Sequence, residues 1–252
     1  MSRFTKKFFY DKKDVGEFAN KERLAFVTLI KWCFYSIILG VVLGFLGTFA
    51  THAYNFVTNL RLENPWLVYF LPLAGVFIVF LYQIFRQAGN TGSNLIIQSV
   101  QSGEKISFRV IPLIFSGMLL THLCGGSCGR GSANFQMGGS FGNTLGRIFR
   151  LDENDKHVLI MAGMGACYAV VFGAPAASSI FAMEVVSVGV MHYAAIVPCF
   201  LSAIIARGIS KYMGIAATTF SIGDVPSINF ASGSKLVLLG IIFAAVSMLY
   251  IV

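Results

Sequence analysis

The chain has 252 residues, of which 56% are hydrophobic and 12% charged, with a formal net charge of +8 and a mean hydropathy of +0.74. That balance describes a chain solvated by lipid and excludes an ordinary soluble domain. It also argues against nucleic acid as a partner, because the 24 Phe lie largely in or beside apolar runs rather than on a basic, solvent-facing module.

Residues 1–23 interleave Phe4, Phe8, Phe9 and Phe18 with lysines, which suits either an amphipathic helix on the membrane surface or a partly disordered tail. Eight of the 19 Lys and Arg precede Trp32, so the positive-inside rule places the amino terminus in the cytoplasm of a multi-pass cell-membrane protein. A transmembrane domain is then expected over 24–252. Its spans follow from length, since a bilayer core about 30 Å thick needs roughly 20 apolar residues in helix. Trp32 to Ala50, Trp66 to Phe85, Val110 to Gly129, Val158 to Met183 and Val185 to Ala206 contain no Asp, Glu, Lys or Arg. Gly40 and Gly44 have the spacing that lets helices approach closely.

Asn90 to Asn94 forms a turn and helix-start cluster, and the apolar run after it, Leu95 to Val100, is too short to span. Val110 to Gly129 could span, but it dissolves into Gly125-Gly126-Ser127-Cys128-Gly129-Arg130-Gly131-Ser132. Irregular backbone at membrane depth must be buried in protein or line a cavity. Gly138, Gly142 and Gly146 then recur on one helix face, as tight packing requires. Val158 to Met183 holds Gly173 and Pro175, which predicts a helix, a break and a second helix. The next element, Val185 to Ala206, is expected to be interrupted at Pro198. A polar stretch, Thr218 to Ser234, precedes the last apolar segment, Leu236 to Val252.

Between Val110 and Leu151 there is no acidic residue, and Ser127, Ser132, Asn134 and Gln136 surround Arg130. Helix amino termini are expected near Ser93-Asn94 and near Gly131, each carrying about half a unit of positive charge and free amide N–H groups. Converging on one place, they would hold an anion by dipoles and hydroxyls. Ser93, Asn94, Gly129, Arg130, Gly131 and Ser132 are the candidate anion-binding residues. Enzymatic chemistry is not expected. The glycine-rich stretch lacks the Gly-Lys-Ser/Thr ending of a phosphate loop, and the four His show no zinc spacing. Cys124, Cys128 and His122 read as packing residues before a metal site, and no cofactor is expected. Asp152, Glu153 and Asp155 read as a solvated loop. Glu184 stands alone between long uncharged stretches, either as a membrane-boundary residue or as a buried proton carrier.

Gly125 to Gly139 resembles the Gly-Arg-Glu-Gly signature, with its trailing Gln-hydrophobic-Gly-Gly, of the CLC chloride channels and proton-coupled anion antiporters. Phe172-Gly173-Ala174-Pro175, ending in Phe181-Ala182-Met183-Glu184, is similar to that family's Phe-Asn-Ala-Pro segment and following helix. The resemblance covers about residues 25 to 210. It implies an all-α polytopic membrane bundle with broken and re-entrant helices, equivalent to the amino-terminal half of a two-halved inverted repeat. It further implies transport of chloride or another halide, homodimerisation, and a second half either on a separate chain or lost. Where the family carries its gating glutamate this sequence has Gly131, which predicts transport without proton coupling. Gly92-Ser93-Asn94-Leu95-Ile96 is closer to the fluoride-exporting branch, so a fluoride-selective half is one alternative. A truncated, nontransporting remnant or scaffold is the other.

Overall fold

The structure is a computed structural model that describes residues 12–87, 89, 92–103, 106–187, 189–217 and 229–251. The described residues form helices and connecting turns. The first, α1 (Lys12–Glu63), is continuous, so the backbone has no break at residue 23; residues 1–11 of the expected surface segment lie outside the described residues. After Asn64 a 3-10 turn, Pro65–Phe70, leads into α2 (Leu71–Ile84). Together these make a 20-residue span.

The expected re-entrant pieces follow. Helix α3 (Ser93–Ser102) is about 15 Å long and α4 (Val110–Leu123) about 21 Å, both short of the bilayer core. The stretch from Val110 to Gly129 is therefore helix only in its first part. Two breaks differ from the sequence-based expectation. Arg130 lies not in the irregular stretch but at the first position of α5 (Arg130–Ile148), with extended Gly129 as its cap. The positive end of the helix thus begins one residue earlier than expected. Residues 185–187 and 189–192 do not continue as helix; a 3-10 turn, Tyr193–Ala195, opens α8 (Ile196–Tyr212), and Pro198 falls in its first turn. Proline is tolerated there because an amide at that point would have no intrahelical partner.

Helix α6 (Glu153–Phe172) starts five residues before the apolar run because Asp152 caps it, accepting from the Asp155 amide, and Glu153 and Asp155 complement the positive helix end. Lys31 of α1 pairs with Asp155, and Lys156 with Glu153. The acidic cluster is thus a cap and a clamp between helices, more than a solvated loop. α6 ends at Gly173, whose φ of +76° suits glycine, and α7 (Pro175–Glu184) follows. This is the expected broken pair.

The core lies where α6 meets α1, α5 and α8, around Leu39, Leu43, Leu159, Met161, Met164, Val170 and Cys199. Small residues bring the helices to backbone distance. A methyl on Gly138 would stand 2.2 Å from the Gly163 carbonyl oxygen, and one on Gly142 would stand 2.2 Å from that of Leu159. Gly40 and Gly44 press on α8 at Ser202 and Ala206. The buried Ser202 hydroxyl donates to the Ala162 carbonyl at 3.1 Å, tying α8 to α6. By contrast α2 is apolar on all sides and buries only Ala74 among its residues, the signature of a helix that meets lipid or further polypeptide. Helix α9 (Phe230–Ile251) is a separate unit, uncharged from Leu236 onward. Most of the polar stretch before it lies outside the described residues.

Candidate functional site

Two helix starts meet at one point. In α5 the first intrahelical bond runs from the Ala133 amide to the Gly129 carbonyl, so the amides of Arg130, Gly131 and Ser132 lie ahead of the ladder. In α3 the Leu95 amide reaches back to Gly92, leaving those of Ser93 and Asn94 ahead of it. The side chains join the two ends: Ser93 Oγ and Ser132 Oγ are 2.6 Å apart, and the Gln136 side-chain amide donates to both hydroxyl oxygens at 3.3 Å. Gln136 is buried and Ser132 exposed, so the cluster has a fixed back and an open front.

The cleft in front of this cluster has a volume of about 350 Å³. Tyr82, Thr121, Gly129, Ser132 and Gln136 line it along with apolar side chains of α2 and α4, and its lining contains no charged residue. It offers hydroxyls, an amide and two positive helix ends, which add to about one unit of positive charge.

The structure sorts the six candidate residues unevenly. Ser93 and Ser132 touch, and Gly129 lines the cleft. Asn94 is exposed and is not part of the cleft wall. Arg130 contributes its backbone, while its guanidinium turns away to stack on the Tyr54 ring, 4.6 Å from the centroid, in a different pocket. Gly131 packs against aromatic rings: a Cβ there would lie 3.2 Å from Phe172 and 3.2 Å from Tyr168. These rings belong to a cluster in which Tyr168 stacks on Phe181 at 4.9 Å and Phe172 lies 4.4 Å from Tyr168. Glu184 closes α7, exposed and outside the cleft lining. Cys128 Sγ sits 3.2 Å from His122 Nδ1, which also lies 2.8 Å from the Met118 carbonyl.

Sequence reasoning placed Gln136 near Arg130 without making it a site residue, and passed over Tyr82. For Gln136 the signal was present, because it stands four residues after Ser132 and so on the same helix face. For Tyr82 the signal was a single hydroxyl in an otherwise apolar span.

A bundle that combines span-length apolar helices with helices too short to cross a bilayer, and in which two helix amino termini meet beside an uncharged polar cleft, defines a polytopic membrane protein of the broken-helix type. The chain belongs to the voltage-gated chloride channel family, whose sequence model matches residues 74–252. It is 32% identical over 94% of its length to a chloride/fluoride channel protein of Pseudomonas syringae pv. tomato, covering 53% of that protein. It is 29% identical over 68% of its length to the H(+)/Cl(-) exchange transporter ClcA of Vibrio cholerae, covering 39% of it. Among solved structures, a CLC-type fluoride/proton antiporter superposes with a TM-score of 0.80 at 33% identity, over 86% of this chain and 55% of the other. A slow cyanobacterial Cl-/H+ antiporter, at 23% identity and a TM-score of 0.70, shares the fold. The chain spans about half the length of the curated relatives it matches.

Proposed function

We propose that this chain supplies one wall of a halide pathway, with the amides of Ser93 and of Gly129 to Ser132 and the Ser93 and Ser132 hydroxyls as ligands, the hydroxyls being held in place by the Gln136 amide. The observation that carries this reading is the convergence of two helix amino termini on hydroxyls 2.6 Å apart, beside a cleft lined by no charge. An ion held by dipoles and hydroxyls sheds water without being trapped by a full countercharge. In the complete assembly the remaining wall comes from further polypeptide, consistent with the half-length match to relatives, and two copies pair as a dimer. The domain runs over 24–252 with the amino terminus in the cytoplasm.

Transport is uncoupled from protons. Gly131 carries no titratable group, the space beside it is filled by Phe172 and Tyr168, and Glu184 lies off the cleft, at the end of α7. Fluoride competes with chloride as the ion, because the two relatives at 32% and 33% identity both carry fluoride in their names. A nontransporting remnant is the alternative. Liposomes containing the protein and whatever completing segment is encoded beside it, read with chloride and fluoride electrodes, test all three. Flux of either halide that is the same with and without a pH gradient supports the proposal; strict proton exchange, or no flux of either ion, overturns it.

A further inference from the structure

The Arg130 guanidinium ends in another polar pocket, which adjoins the cleft at Cys128. This pocket has a volume of about 310 Å³ and gathers Arg61 from the end of α1 with Arg130, His122, Tyr54 and Ser127. The ion pairs among the described residues are Lys31–Asp155 and Lys156–Glu153, so neither guanidinium is neutralised by a carboxylate there. Arg61 lies against the turn after α4, its Nε 3.1 Å from where a Gly125 Cβ would stand. Two guanidinium groups in one concave, half-buried place suit an anion, and a phosphate oxygen pair matches the guanidinium fork.

On the other side of the same turn the chemistry reverses. Cys124, one residue before Gly125, lines a wholly apolar groove of about 500 Å³ between α2 and α4, walled by Phe70, Leu73, Phe77 and Leu120. The turn is thin: a Cβ on Gly126 would meet Leu71 of α2 at 2.9 Å and Thr121 of α4 at 2.7 Å. Trp66 and Tyr69, both exposed, belong to the 3-10 turn that leads into this groove through Phe70, and aromatic residues are enriched at the level of lipid headgroups. An acyl-sized apolar slot therefore opens beside an unneutralised basic pocket across one glycine turn.

We propose that these two cavities form a single site for an anionic glycerophospholipid, its phosphate held by Arg61 and Arg130 and one acyl chain lying in the groove between α2 and α4. A zwitterionic lipid fits the groove equally well but brings its own cation to a pocket that already holds two. The site therefore selects by headgroup charge, because an anionic lipid brings a phosphate and no cation to the two guanidinium groups.

Trp66 is a built-in reporter, because its ring lies 5.7 Å from that of Phe70 in the groove wall. With Trp32→Phe as background, the full chain is reconstituted with phosphatidylglycerol or phosphatidylcholine brominated on the acyl chains, at equal mole fractions, and quenching of Trp66 is measured. Preferential quenching by the brominated phosphatidylglycerol is expected, weakening about fivefold in apparent association on Arg61→Gln and retained in Arg61→Lys. Ala74→Phe, which fills the groove without touching the arginines, should lower Trp66 quenching by phosphatidylglycerol to the phosphatidylcholine level. Inorganic phosphate should not relieve the quenching. Equal quenching by the two lipids in the background protein overturns the proposal. So does full displacement by inorganic phosphate, which would mean a free-anion pocket with no acyl component.

Discussion

Replacing Gly138 by alanine tests the packing that positions the halide cleft. The new methyl would lie 2.2 Å from the Gly163 carbonyl oxygen and 3.0 Å from Cys167 Cβ. An ordinary C···O contact is about 3.3–3.6 Å, so α5 and α6 must separate by about 1 Å. Neither obstacle can swing aside, since one is backbone and the other a Cβ. Gly142 meets the Leu159 carbonyl just as closely one turn later, so the shift loosens the whole seam. A gap of that size forfeits about a quarter to a half of each dispersion contact. Overpacking of this kind costs about 3 kcal/mol, and the better helix propensity of alanine returns about 1. We expect a net loss of about 2 kcal/mol. Gly208→Ala is the control, because its Cβ meets nothing within 4 Å and only the propensity gain remains. Equilibrium unfolding in mixed micelles, followed by far-ultraviolet circular dichroism, reads both variants. A Gly138→Ala protein as stable as the parent, or a Gly208→Ala protein equally weakened, would refute the reasoning.

Gly131→Glu should give flux that falls as pH rises through the carboxylate range, since the added charge stands at the positive helix end; pH-independent flux equal to the parent would remove Gly131 from the pathway. Ser132→Ala takes one of the two joined hydroxyls, and halide affinity measured by titration calorimetry should fall about tenfold, the worth of one charge-assisted hydrogen bond. Gln136→Leu leaves both hydroxyls present but no longer oriented, so affinity should fall by a smaller factor than in Ser132→Ala; a larger fall would make Gln136 a direct ligand. Asp152→Ala removes the α6 cap and should lower stability by about 1 kcal/mol in the same unfolding measurement, with no effect on halide affinity.

Much of the architecture was legible because lipid imposes a simple rule. Four of the five uncharged runs overlap span-length helices, with Val110 to Gly129 the exception, Gly173-Ala174-Pro175 became the break, and Gly92 with Ser93 became a helix start. The misplacements share one cause, which is that composition does not show where backbone hydrogen bonding begins. Arg130 was read as loop because glycine and a charge interrupt the apolar run, yet the helix starts there and the charge simply leans outward onto Tyr54. Val185–His192 was read as span because it is apolar, although α7 ends at Glu184 and helix resumes only at Tyr193. The meeting of Ser93 with Ser132 across 39 residues depends on how α3 and α5 cross, which no local pattern encodes.

The direction in which Arg130 points changes the electrostatic account of the site. A guanidinium inside the cleft would hold a halide by full charge and slow its departure. Stacked on Tyr54 and absent from the cleft lining, it acts instead as a background field. In the proposed halide site the direct ligands are then partial charges: amides at two helix ends and hydroxyls tied to each other and to Gln136. Because Gly131 adds no carboxylate, nothing on α5 competes with the ion for those amides. The same geometry explains why Arg130 is available to the basic pocket beside Arg61. On the proposed reading one residue serves two sites, its backbone amide at the start of α5 and its side chain in the basic pocket. Charge neutralisation at Arg130 by a lipid phosphate should therefore lower the positive field at the cleft, coupling anionic lipid content to halide affinity with no movement of either helix.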